Sequence, residues 1–185
     1  MAQTRTIPAI SYAEDIDEGV TGVDAGLLVL RAVVGVILAG HGAQKLLGWF
    51  DGPGFDATAA TLAQAGYPSG RTMTWVLGLS EIVGGFALVI GFLTPLAAAA
   101  VIGVMINAVA LKWGYDWSGP IAATDPRGIE YEFLLGAAGV ALALTGAGLV
   151  SVDGALGRGG RLAPGVAAVL LGVAAGVGVL FLRRL

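Results

Sequence analysis

Residues 72–92 read TMTWVLGLSEIVGGFALVIGF, an apolar run with one ionisable side chain, Glu81, near its centre. A helix rises about 1.5 Å per residue, so about 20 apolar residues cross the roughly 30 Å of hydrocarbon in a bilayer. The stretch therefore reads as a membrane span with a carboxylate at mid-depth. Working outward, four more stretches have the same character: about 26–50, 95–113, 131–150 and 163–182. Nothing in them alternates with the period of two that a membrane barrel needs. A backbone facing lipid must satisfy its own hydrogen bonds, which leaves the helix. The expected fold class is an all-α membrane protein, a four-helix transmembrane bundle plus a fifth peripheral transmembrane helix. The last span is placed outside because it carries no polar residue between Ala163 and Leu182.

Composition agrees. Of 185 residues 56% are hydrophobic and 12% charged, against roughly 25% charged in a soluble domain. An ordinary soluble enzyme and a disordered tail are excluded. A net charge of −3 leaves no basic stripe for phosphate backbones, so no nucleic-acid partner is expected. The absence of cysteine removes disulfides, thiolate nucleophiles, Fe–S clusters and Cys-based zinc sites. A single histidine removes bis-His haem ligation, so no haem, Fe–S or metal is expected from this chain. The 31 glycines suit close helix packing in lipid. Gly172 and Gly176 have the small-xxx-small spacing and read as packing, with a dimer face as the alternative.

Residues 1–22 form a polar acidic arm with no basic start joined to an apolar stretch, unlike a signal peptide. Residues 23–153 hold the four-helix membrane domain, and 154–185 a turn and the fifth helix. Two connections are long, 51–71 and 114–129. In the first, Phe55, Ala59 and Leu62 recur at helical spacing, as in a short helix lying in the interface.

Threading five spans puts both long connections on one side of the membrane. Trp49, Trp75, Trp113 and Trp117 then gather at that long-loop side, whereas aromatic belts normally mark both interfaces. The polar residues share the bias. Counted from Trp49, His41 lies about 12 Å deep and Lys45 about 6 Å; counted from Thr72, Glu81 lies about 13 Å deep. Asn107 lies about 9 Å below Trp113, and Glu130 and Glu132 open the fourth span. Two residues apart on a helix, at most one of that pair faces the bundle. Arg31 shares a stripe with Lys45 at helical spacing. Ionisable groups at such depth cost at least about 2.5–3.5 kcal/mol each and persist by pairing, so Glu81 should meet His41, Lys45 or Arg31. Such a network either fixes helix packing or lines a pocket under an aromatic rim. No nucleophile elbow or Walker loop is present.

Several motifs together resemble the DoxX family of small bacterial membrane proteins, over about residues 26–153. They are Arg31 followed by Gly40-His41-Gly42-x-x-Lys45, and Glu81-x-x-Gly84-Gly85-x-x-Leu88-x-x-Gly91-x-x-Thr94. Glu132 and then Gly146-Ala-Gly148-x-x-Ser151-x-Asp153 close the pattern. The resemblance implies a four-helix membrane core in the bacterial inner membrane, linked to quinone-coupled oxidation. Relatives include membrane subunits of a thiosulfate:quinone oxidoreductase and membrane oxidoreductase complexes of actinobacteria. The fifth helix and the acidic arm are departures from that core.

Joined to the polar residues, the resemblance gives a concrete expectation: an integral membrane subunit of a quinone-linked oxidoreductase or respiratory complex. It would complete a site for menaquinone or ubiquinone rather than act as an enzyme alone. Arg31, His41, Lys45, Asn107 and Glu132 would bind the head group, Trp49, Trp75 or Trp113 would stack on it, and Glu81 would relay a proton. Its partners would be lipids and other subunits of a membrane redox complex. The alternative is a non-catalytic anchor or assembly subunit.

Overall fold

The computed structural model describes residues 19–112, 128–158, 160 and 162–183. Among the described residues there are seven helices and no strand: α1 (Gly22–Leu47), α2 (Gly54–Gln64), α3 (Gly70–Ile90), α4 (Thr94–Leu111), α5 (Glu130–Thr145), α6 (Val152–Ala155) and α7 (Leu162–Phe181). Four of them, α1, α3, α4 and α7, are long and apolar enough to cross a membrane. The chain is a multi-pass membrane protein.

The fourth expected span needs correction. It stops at Thr145 rather than Val150, because Gly146 and Gly148 take φ of +78° and +75° and turn the backbone out of the helix. Its 16 residues rise about 24 Å, short of the roughly 30 Å hydrocarbon thickness. Even so, α5 runs the length of its neighbours. Glu132 in its first turn pairs with Lys112 beyond the end of α4, and Gly146 past its last turn lies against Gly160, just ahead of α7.

Close backbone approach organises the packing. A Cβ on Gly35 would come within 2.5 Å of the Gly85 carbonyl oxygen, and one on Gly85 within 2.5 Å of that of Gly35, so only glycine lets α1 and α3 meet here. The small-xxx-small pair on α7 is used inside the chain: Gly172 packs on Ala99 and Gly176 on Gly103 of α4. Helix α7 also touches α5. A helix with no polar side chain nevertheless joins the polar network, because the Gly176 carbonyl accepts a hydrogen bond from Asn107 Nδ2 at 3.0 Å. The expectation that it contributes nothing there overlooked its backbone. Between these seams lies a core that includes Val34, Leu38, Leu88, Val101 and Leu142. The interfacial segment is α2, which turns Ala59 and Leu62 inward and packs on α3 and α1.

The short-loop end is held by side chains that take the place of missing helical hydrogen bonds. Asp153 accepts from the Leu93 and Thr94 backbone N–H groups at 3.0 and 2.8 Å, capping α4. Asp24 forms a capping box with Thr21 and also accepts from the Leu149 N–H at 2.7 Å. Arg31 donates to the carbonyls of Leu88, Val89 and Val150. These are carbonyls freed where α3 and the segment after α5 leave regular structure, and such groups otherwise lack partners.

Candidate functional site

The polar residues of the long-loop half converge on one cavity of about 540 Å³. Its floor is the small-residue face of α4, including Ala99, Ala100, Gly103 and Ala108, and its walls come from α3 on one side and α7 on the other. Both flanking helices pack on α4 without packing extensively on each other, which leaves a groove along α4 reaching from Leu96 to Leu111. Over that distance, about 22 Å by helical rise, the lining is apolar. Polar groups cluster toward the long-loop end.

The strongest of these contacts is the ion pair expected from burial alone. Lys45 Nζ lies 2.8 Å from both Oε1 and Oε2 of Glu81, whose side chain is only 3% exposed. Gly42 makes it reachable: a Cβ there would sit 2.8 Å from the Gly78 carbonyl and 3.0 Å from Glu81 Cβ. His41, level with Glu81 in depth, turns elsewhere. Its Nδ1 meets Gln44 Oε1 at 3.0 Å and its Nε2 meets the Tyr131 hydroxyl at 3.2 Å. Asn107 donates through Nδ2 to the Gly103 and Gly176 carbonyls and accepts the Tyr67 hydroxyl at Oδ1, 3.0 Å away. Glu132 is buried, while Glu130 is exposed, so a single member of that pair faces inward.

Three expected site residues lie elsewhere. Arg31 sits at the short-loop end, occupied by the carbonyls described above, because the stripe it shares with Lys45 extends about 21 Å between them. Trp49 is 58% exposed and meets Phe50 edge-on; Trp75 is 52% exposed and packs on Phe55 with ring centres 5.2 Å apart. Neither lines the cavity. Trp113 falls outside the described residues, as do Trp117 and most of the second long connection. The aromatic lining is instead Tyr67 and Tyr131.

Tyr67 was not singled out in the sequence, since it stands in a turn after α2 with no motif around it. Burial pushes its phenol above the usual tyrosine range, and the nearby Arg183 guanidinium opposes that shift. It therefore stays a protonated donor. Arg183, just past α7, also donates to the Ala65 and Ala110 carbonyls, tying α7 to α2 and α4.

Residues 26–113 match the family model described as DoxX. This stretch is a DoxX-family domain. It covers α1 through α4, and so supplies His41, Lys45, Glu81 and Asn107. Tyr131, Glu132 and the α7 wall come from beyond the matched residues, so the cavity is completed by chain outside the DoxX domain. The chain is also 25% identical over 130 residues to a Bacillus subtilis (strain 168) protein named "Putative oxidoreductase CatD", an overlap of 70% of this chain and 86% of that one. No solved structure matches it.

Proposed function

We propose that this protein is an integral membrane subunit of a quinone-linked oxidoreductase in the bacterial inner membrane, with the cavity on α4 as the quinone site. The observation that carries the reading is the shape of that cavity. An apolar groove flanked by two membrane helices ends in a cluster of buried polar groups, at a volume within the roughly 300–1,000 Å³ usual for small-molecule sites. A menaquinone or ubiquinone has the same division, a ring with two oxygens on a long apolar tail. The ring would lie near the Lys45–Glu81 pair and Tyr131, and the tail along Gly103 and Ala99. The family and the oxidoreductase named among its relatives support this choice.

Reducing the quinone consumes two electrons and two protons. A chain with no cysteine and one histidine takes its electrons from a redox group on another subunit, and its own part is to hold the ring and pass protons. Glu81, salt-bridged yet beside the cavity, is the group placed to exchange one. The acidic arm and the α7 segment, the two departures from the family's core, would serve contacts with partner subunits.

The test is binding of short-tailed ubiquinone and menaquinone analogues to the full chain in nanodiscs, followed by photo-crosslinking. Saturable binding with labelling of α3 and α4 is expected, and Ala108→Leu, which fills part of the α4 floor away from the glycine seam with α7, should abolish it. Absence of saturable binding of either redox form would end the proposal. A purely structural anchor role draws on a different fact, that Lys45 engages both Glu81 oxygens. Glu81→Gln separates the two: lost turnover in an intact complex supports the quinone site, and lost assembly supports the anchor.

A further inference from the structure

The polar groups on the cavity wall divide unevenly, with the donors engaged and acceptors left free. Lys45 has three protons, and they face Glu81 Oε1, Glu81 Oε2 and, at 3.4 Å, the His41 carbonyl. Both Asn107 amide protons go to backbone carbonyls, and the Tyr67 hydroxyl goes to Asn107 Oδ1. Ser80 donates to the Leu77 carbonyl at 2.8 Å. With His41 Nδ1–H donating to Gln44, its Nε2 accepts the Tyr131 hydroxyl proton. Every side-chain donor among the described wall residues thus already has an acceptor within the protein.

Acceptors remain. Glu132 lines the cavity and is only 6% exposed. Its Oε1 is held by Lys112 at 2.8 Å, while its Oε2 has no hydrogen-bond partner among the described residues. The neighbouring Tyr131 oxygen, having donated its proton, also keeps a free lone pair. A carboxylate oxygen buried without a donor is costly, and a quinone carbonyl, itself only an acceptor, cannot relieve it.

We infer that the cavity holds its ring ligand in the reduced, hydroxyl-bearing quinol form, a ligand hydroxyl donating to Glu132 Oε2. This rests on the quinone reading of the same cavity and adds to it the preferred redox state. Quinone and quinol differ by two electrons and two protons at the ring oxygens, and those two hydroxyl protons are the donors the wall lacks. Tighter binding of quinol raises the midpoint potential of the bound couple, by about 30 mV for each tenfold in a two-electron couple.

The experiment titrates full-length protein in nanodiscs with a short-tailed ubiquinone and, anaerobically, with the same molecule reduced, and measures the potential of the bound couple. The expected result is at least about tenfold tighter binding of the quinol, the scale of one satisfied buried hydrogen bond, with a positive shift of at least about 30 mV. Glu132→Gln presents an amide that can itself donate, so the preference should fall or reverse. Glu132→Met, which leaves no oxygen at that point of the wall while the part-exposed Lys112 can turn to solvent, should remove the preference and serves if the first variant does not fold. Quinone binding as tightly as quinol, or a preference unchanged in both variants, overturns the inference and leaves the site standing. Failure of both redox forms to bind overturns the quinone reading itself.

Discussion

Replacing Lys45 with Met should destabilise this protein more than replacing Glu81 with Gln, although the two side chains form one ion pair. The asymmetry follows from burial. Glu81 has a side chain 3% exposed and accepts twice from Lys45, whereas Lys45 is 24% exposed. Lys45→Met strands a buried carboxylate, a change worth about 3–5 kcal/mol when one partner of such a pair is removed. Glu81→Gln leaves a carbonyl that still accepts one bond. The freed ammonium can swing on its flexible stem toward the long-loop interface, which limits the loss to about 1–2 kcal/mol. The double variant removes both charges at similar volume, and buried pairs exchanged for uncharged groups are often near neutral. It should therefore be more stable than Lys45→Met alone, with a coupling of about 2 kcal/mol or more in a double-mutant cycle. Reversible unfolding in mixed micelles, followed by circular dichroism, gives the three values. Additive single effects, or a Lys45→Met cost below about 1 kcal/mol, would show that the pair is solvated and that the burial argument fails.

Two further outcomes separate the ends of the bundle. Gly176→Leu should loosen α7 from α4 at a cost of about 1–3 kcal/mol, since even a Cβ there would approach Gly103 Cα to 3.0 Å, whereas Gly178→Leu, with nothing within 4 Å, should be neutral; protease sensitivity of the α7 segment reads both. Asp153→Ala should cost about 1–2 kcal/mol through the lost cap on α4, leaving analogue binding unchanged because Asp153 lies at the short-loop end, and calorimetry on the variant in nanodiscs checks the second half.

The spans were legible because lipid imposes one rule, uninterrupted apolar length, and their ends moved only where another force acted. At α5 that force was conformational. Gly146 and Gly148 take positive φ and end the helix five residues before the apolar run does, and hydropathy carries no information about φ. For the site, depth was legible and partners were not. Helical rise placed His41 and Glu81 at one level, yet Glu81 chose Lys45 and His41 chose Tyr131, since the choice depends on helix rotation and on where Gly42 lets backbones meet. A shared stripe fixes a face of a helix and says nothing about distance along it. Arg31 and Lys45 therefore serve opposite ends of α1, one closing broken helix termini and the other facing the cavity. The same logic explains why α7 was undervalued. Its side chains are apolar, but two glycines bring its backbone against α4, and a backbone carbonyl exposed by a glycine is a polar group that no hydropathy scale counts. That contact closes the wall opposite α3, so the groove along α4 exists because α7 packs where it does. A four-helix core would leave Asn107 without the Gly176 carbonyl and the cavity without one side. Helix α7 is thus part of the cavity by geometry, even though it offers no side chain that sequence alone would mark.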